Sequence, residues 1–210
     1  MSVDVAVHEH HGFEPFAMAD PFPIYAELRR EEPVMFDERI GYYVVTRYDD
    51  IKATFANWEQ FSSENAQAPV RPAGEPAKRI MTEGGFTAYS GLSARVPPEH
   101  TRIRDVATKA FTPRRYKVLE PLIRENVDRL IDRMLAEGAP ADIVASLAWD
   151  VPTITILTLL GVPIDMIPQV KEWAGSRAAM TWGDLSDEDQ IPHAINLVEY
   201  WNYCQQLVSE

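Results

Sequence analysis

The chain has 210 residues, 46% of them hydrophobic, and 32 acidic against 20 basic side chains give a formal net charge of −12. That is ample apolar material for a core in one large domain or one and a half, and the acidic excess argues against general nucleic-acid binding. The single cysteine, Cys204, excludes an intrachain disulfide and fits a reducing compartment.

Residues 1–12 carry neither a basic n-region nor an apolar core, so they read as a disordered tail and not as a signal peptide. His8, His10 and His11 cluster there. Clustered histidines can take up metal, but a tail offers no rigid geometry and no supporting hydrogen bonds, so no metal site is expected. Asp20-Pro21-Phe22-Pro23 leads into a short amphipathic helix over 24–30, stopped before Pro33. Segments 34–37 and 42–46 are β-branched and aromatic, with Glu38-Arg39-Ile40-Gly41 as a hairpin turn between them. Asp49 and Asp50 are expected to cap the next helix, which carries Ile51, Phe55 and Trp58.

Residues 62–96 hold Pro69, Pro72, Gly74, Pro76, Gly84, Gly85 and Gly91 and read as one long irregular loop. A loop of that length inside a compact domain is usually functional or mobile. Pro97 and Pro98 then suit a helix start. At about 100° per residue, His100, Arg104, Ala107 and Phe111 share one helix face, and Arg102 and Lys109 lie on the opposite one. Two donors at i and i+4 form a fork that can hold an anionic group. Spacing alone favours a solvated helix with a surface ion pair to Glu99 or Asp105.

Leu119, Leu122, Ile123, Val127, Leu130, Ile131, Met134 and Leu135 follow the i, i+3, i+4 rule of an amphipathic helix, ended by Gly138 and Pro140. Residues 154–160 are apolar nearly all round, which predicts a buried helix stopping at Gly161. The apolar stretch 151–164 is broken by Pro152, Gly161, Pro163 and three threonines, and it is too short to span a bilayer. A further helix is expected over 165–180. Ser186 to Asp189 offers a capping-box-like start for a last helix, with Leu197, Trp201, Cys204 and Val208 on one apolar face. No internal repeat occurs.

The stretch 97–104, with Ala110-Phe111-Thr112-Pro113-Arg114 after it, closely resembles the C-helix region of bacterial cytochrome P450 haem-thiolate monooxygenases. The family pattern is Asp-Pro-Pro-x-His-x-x-x-Arg followed by Ala-Phe-Thr-Pro-Arg; Val96 stands here where the family usually has Asp. Leu-Leu-Gly-Val-Pro at 159–163 matches the end of the family's E helix, and the opening order of helix, hairpin and helix is also the family's. The resemblance covers residues 13–210 as the N-terminal part of a single cytochrome P450 domain. It implies a mainly α fold with a small N-terminal β element, truncated before the oxygen-activating helix and the axial cysteine loop.

What the resemblance implies about function follows from that. The whole enzyme would bind haem, take two electrons from a redox partner, and insert one atom of dioxygen into a small organic substrate. His100 and Arg104 would bind the haem propionates. Phe86, Ala88, Tyr89 and Leu92, in the loop that covers the distal side of the haem in this family, are candidates to line the substrate pocket or simply to pack that loop. Arg102, Lys109, Arg114 and Arg115 would face a ferredoxin- or flavin-type electron donor, separate or fused. Between Pro97 and Glu120, six basic residues outnumber three acidic ones, which fits an acidic partner or an ordinary solvated face.

Cys204 does not suit the axial position, because an iron-bound thiolate needs an electropositive, Gly-flanked loop, and Cys204 lies mid-helix between Tyr203 and Gln205. The chain alone is therefore expected to be inactive, cytoplasmic and without a membrane segment. A truncated, non-catalytic helical binding module is the alternative from another class, and a helical anion-binding domain with a chance motif is a third.

Overall fold

The computed structural model describes residues 13–16, 19–89 and 91–209. The histidines of the tail lie outside the described residues, as does the expected disorder of 1–12.

The chain opens with helix α1 (Phe22–Glu31), strands β1 (Val34–Asp37) and β2 (Tyr42–Val45), and helix α2 (Tyr48–Ala56). The strands form one antiparallel hairpin with Val34 opposite Val45 and Asp37 opposite Tyr42. Its turn is held from inside. Asp37 is fully buried and accepts from the Arg39 backbone N–H at 2.9 Å, Nε at 3.2 Å and Nη2 at 2.6 Å. Gly41, at φ 68°, closes the turn by donating to the Asp37 carbonyl at 2.8 Å. Phe13, Leu28 and Met35 form a small core beneath the hairpin, with Ile24, Tyr25 and Val44 against it.

Two expectations for α2 are corrected. Asp49 and Asp50 do not cap it: Arg47 occupies the N-cap without a side-chain bond, and both aspartates sit in the first turn, where carboxylates favour the positive helix end. The helix also stops at Ala56, short of Trp58.

Segment 62–96 is not one loop. It contains helix α3 (Glu75–Glu83), between Gly74 and Gly84, and a 3-10 turn at Leu92–Ala94. Pro76 reads as a loop signal, yet in the first turn of a helix its missing N–H has no cost. Helix α4 (Glu99–Ala110) follows, then the long α5 (Pro113–Glu137), a π turn at Val144–Ala148, α6 (Asp150–Leu159), α7 (Ile167–Trp182) and α8 (Gln190–Ser209).

The second core lies where α7 meets α8 and the end of α6. Val162, Ile167, Val170 and Trp173 are buried there, against Ile154, Leu157, Tyr200, Tyr203 and Leu207. The start of α8 is capped as its sequence predicts. Ser186 Oγ accepts from the Asp189 N–H at 3.1 Å and donates to the Asp189 carboxylate at 2.7 Å.

Helix α6 is not buried, contrary to its all-round apolar sequence. Neighbours α5 and α7 cover one side only, leaving Ile156 41% and Leu160 54% exposed. The expected face of α8 is likewise divided: Leu197 is buried, whereas Val208 is 87% exposed. No helix among the described residues is long and apolar enough to cross a membrane.

Two contacts yield tests. A Cβ on Gly84 would stand 2.4 Å from Val198 Cγ1 on α8. Gly84→Ala should therefore destabilise the protein by roughly 1–3 kcal/mol, and adding Val198→Ala should recover part of that in urea melts. For Asp37, burial raises the carboxyl pKa, but hydrogen bonds and charge from Arg39 outweigh it and the net shift is downward. A depressed carboxylate contributes stability that is complete above the unfolded-chain value and is lost as pH falls through the folded one. Acid unfolding of Asp37→Asn should lack that dependence, and a parallel acid limb in both proteins would remove the assignment.

Candidate functional site

Helix α4 begins after Pro98 with Glu99 in its first turn and ends with Lys109 in its last, so its charges complement the helix dipole. His100 is half-buried and Arg104 exposed, on the face that also carries the half-buried Ala107 and Phe111. Neither the imidazole nor the guanidinium has a hydrogen-bond or ion-pair partner among the described residues. The surface ion pair to Glu99 or Asp105 is not formed by either side chain among the described residues. Glu99 is bonded by Arg95 and lies 4.0 Å from Arg102, and Asp105 forms no ion pair among the described residues.

Two uncommitted donors one turn apart, beside apolar neighbours, fit a carboxylate-bearing group that is not part of the protein. On the opposite side of α4, Lys109 is exposed and unpaired among the described residues. Beyond it, Arg115 reaches only the Ala110 carbonyl at 3.5 Å, and Arg114 and Lys117 flank a shallow hollow with Pro113 and Val118. None of these four basic side chains has an acidic partner among the described residues.

The predicted pocket residues separate. Phe86 and Tyr89 converge on Trp201 of α8, with ring centroids 5.9 Å apart edge-on and 5.7 Å apart stacked. Together with Leu197, Tyr200 and Cys204 they line a cavity of about 230 Å³. Ala88 is exposed and Leu92 sits half-buried in the 3-10 turn that packs on α4. Neither lines that cavity.

Sequence reasoning missed Arg177. On α7, its guanidinium carbon lies 4.5 Å from the centre of the Tyr89 ring, and Nη2 donates to Gln67 Oε1 at 3.2 Å. Trp173, Ala174, Met180 and Thr181, the residues three and four positions away, include no acid to pair with it, but only the fold brings it to Tyr89 and Gln67.

Burial pushes the Tyr200 hydroxyl up to about 12, aided by Cys204 and Tyr89 and opposed by the charge of Arg177. Burial also raises the Cys204 thiol, which its hydrogen bond with Tyr200 only partly offsets. This setting favours the protonated thiol, the reverse of what a metal-bound thiolate needs. Among the described residues no three His, Cys, Asp or Glu side chains gather as a metal site.

A cavity of about 890 Å³ lies elsewhere, among α5, α6 and α7. Within it, Asp150 binds Lys171 and stands 3.8 Å from Arg133. None of the predicted site residues lines it.

The fold and sequence have known counterparts. The chain is 67% identical to cytochrome P450 CREJ, solved in complex with (4-ethylphenyl) dihydrogen phosphate, with a TM-score of 0.89 over 96% of this chain and 50% of that one. It is 38% identical over 156 residues to the nocardicin C N-oxygenase of Nocardia uniformis subsp. tsuyamanensis, covering 72% of this chain and 37% of the relative. Full-length CYP116B46 from Tepidiphilus thermophilus superposes with a TM-score of 0.85 at 27% identity, covering 95% of this chain and 27% of that one. The chain thus spans half or less of the length of each of these proteins. No protein-family model matches it.

The raised thiol pKa of Cys204 predicts slow chemistry. Alkylation by iodoacetamide should run well below the rate of an unstructured cysteine peptide, and it should still be climbing above the ordinary thiol range. A rate that already levels off near neutral pH would contradict the burial assigned to this side chain.

Proposed function

This chain belongs to the cytochrome P450 family, and from that premise we propose that it forms the amino-terminal part of a haem monooxygenase acting on a small alkylated aryl phosphate. The observation that carries the substrate class is the 67% identity over nearly the whole chain to a P450 solved with (4-ethylphenyl) dihydrogen phosphate. Haem, when bound, supplies the iron at which dioxygen is reduced by two electrons and one oxygen atom is passed to a C–H bond.

The chain's own part is to hold and cover that group. His100 and Arg104 donate to the haem propionates from one face of α4; their lack of any other partner among the described residues supports this role. Phe86 and Tyr89 shape the substrate side. Ala88 and Leu92, which lie outside the aromatic cavity, contribute at most to its approach. The axial thiolate comes from outside these residues, since Cys204 is a half-buried neutral thiol on a helix. The 210 residues by themselves are therefore inactive. The exposed apolar side chains of α6 and its surroundings, Ile143, Val144, Trp149 and Leu160, are consistent with a face that further protein covers.

Arg102, Lys109, Arg114 and Arg115 form the docking surface for an acidic electron donor of the ferredoxin or flavin type. A fused donor is as compatible as a separate one: a neighbour at 29% identity is described as an intact self-sufficient monooxygenase.

In the haem-loaded full-length protein, His100→Ala and Arg104→Ala should each weaken haem retention by on the order of 1.5–3 kcal/mol. The double variant should lose less than the sum if both residues hold one propionate. Haem transfer to apomyoglobin measures this, and transfer rates unchanged in the double variant would remove the role. Turnover of 4-ethylphenyl phosphate with dioxygen and an electron donor tests the reaction. Reversing Arg102 and Lys109 to Glu should slow stopped-flow reduction through the on-rate, and salt should slow the wild type likewise.

A further inference from the structure

We propose that Arg177 anchors the phosphate of the aryl phosphate whose ring occupies the cavity between Phe86, Tyr89 and Trp201. The inference rests on the substrate class proposed above and adds a residue and a place for its recognition.

The first support is an uncompensated charge. Arg177 is half-buried and pairs with no carboxylate among the described residues. A guanidinium carries five N–H donors; among the described residues Arg177 places one hydrogen bond, to Gln67, and its guanidinium carbon lies over the Tyr89 ring. Gln67 itself is occupied, because its Nε2 donates to Ser93 Oγ at 2.8 Å and its Oε1 also accepts from the Gly91 N–H at 3.2 Å. These contacts fix the guanidinium without neutralising it. Carboxylates on the adjoining elements are engaged elsewhere: Glu199 takes the Trp173 indole N–H at 3.0 Å, and Asp184 pairs with Arg71 at 2.6 Å. Withdrawing a cation from water without a counter-ion is unfavourable, and an arriving dianion relieves that cost through a bidentate contact that lysine cannot copy.

The second support is the cavity beside it. An apolar hole of about 150 Å³ accepts benzene, so a volume of about 230 Å³ lined by the aromatic rings of Phe86, Tyr89, Tyr200 and Trp201 suits one substituted ring. Tyr200 borders the same cavity and stays protonated across the neutral range, so it brings no negative charge to oppose a phosphate. Cation and aromatic wall meet at Tyr89, which touches both Arg177 and Trp201. An aryl phosphate has this same arrangement of ring and charge.

The test is calorimetric titration of the haem-loaded full-length protein with 4-ethylphenyl phosphate, 4-ethylphenol and inorganic phosphate. The wild type should prefer the ester to the free phenol, with inorganic phosphate far weaker than either. Arg177→Gln should lower affinity for the ester by roughly tenfold to a hundredfold while leaving 4-ethylphenol within about twofold. Arg177→Lys, which keeps the charge and loses the fork, should fall between the two and guards against a folding defect in the glutamine variant. Ester affinity unchanged in both variants, with the wild-type preference intact, would overturn the anchor and leave the substrate class standing. A wild type that binds 4-ethylphenol at least as tightly as its phosphate would overturn the substrate class and the anchor with it.

Discussion

The seam between α8 and the segment preceding α4 fixes the positions on which everything else depends. Gly84 brings the end of α3 so close to Val198 that no side chain fits between them. At the other end of α3, the buried Gln190 accepts from the Gly74 N–H at 2.8 Å and donates to the Leu185 carbonyl at 3.3 Å. A buried amide is tolerated only when its donors and acceptors are used, so this pair of bonds locks α3 to the α7–α8 turn. Gly85, at φ 72°, then turns the chain and delivers Phe86 and Tyr89 onto Trp201. Irregular sequence is thereby held in a definite place.

The same seam joins α7 to α8. Ser176 is buried, lies 3.1 Å from His193 Nδ1, and accepts from Asn196 Nδ2 at 2.9 Å. The adjacent residue is Arg177. This polar lock lies one position before the guanidinium that donates to Gln67 and lies over the Tyr89 ring.

Charge in this chain is informative where it is left unpaired. In a protein of net charge −12, carboxylates are plentiful, and Arg30, Lys78, Arg124 and Lys171 all find one. Exposed pairs of this kind contribute little stability. His100, Arg104 and Arg177 remain without acidic partners among the described residues. Two of these share a face of α4, and the third lies over the ring of Tyr89, which lines the aromatic cavity.

Local sequence determined the elements whose stability is local. The hairpin followed from segments rich in β-branched and aromatic residues around the turn at Gly41, α5 from its apolar period, the start of α8 from Ser186, and the His100–Arg104 fork from a spacing of four. Burial did not follow in the same way. The apolar circumference of α6 predicts enclosure, but enclosure is a property of neighbours, and α5 and α7 supply them on one side only. Helix α3 was hidden because Pro76 and the flanking glycines signal a break as readily as a helix start and stop. Arg177 was hidden for a related reason: its meaning lies in Tyr89 and Gln67, 88 and 110 residues away in the chain. The sequence by itself determined helix, strand, turn and the paired donors of α4, because each depends on residues a few positions apart. Only the tertiary structure decided which apolar faces meet and which cation stays free, because those depend on side chains brought together across the chain.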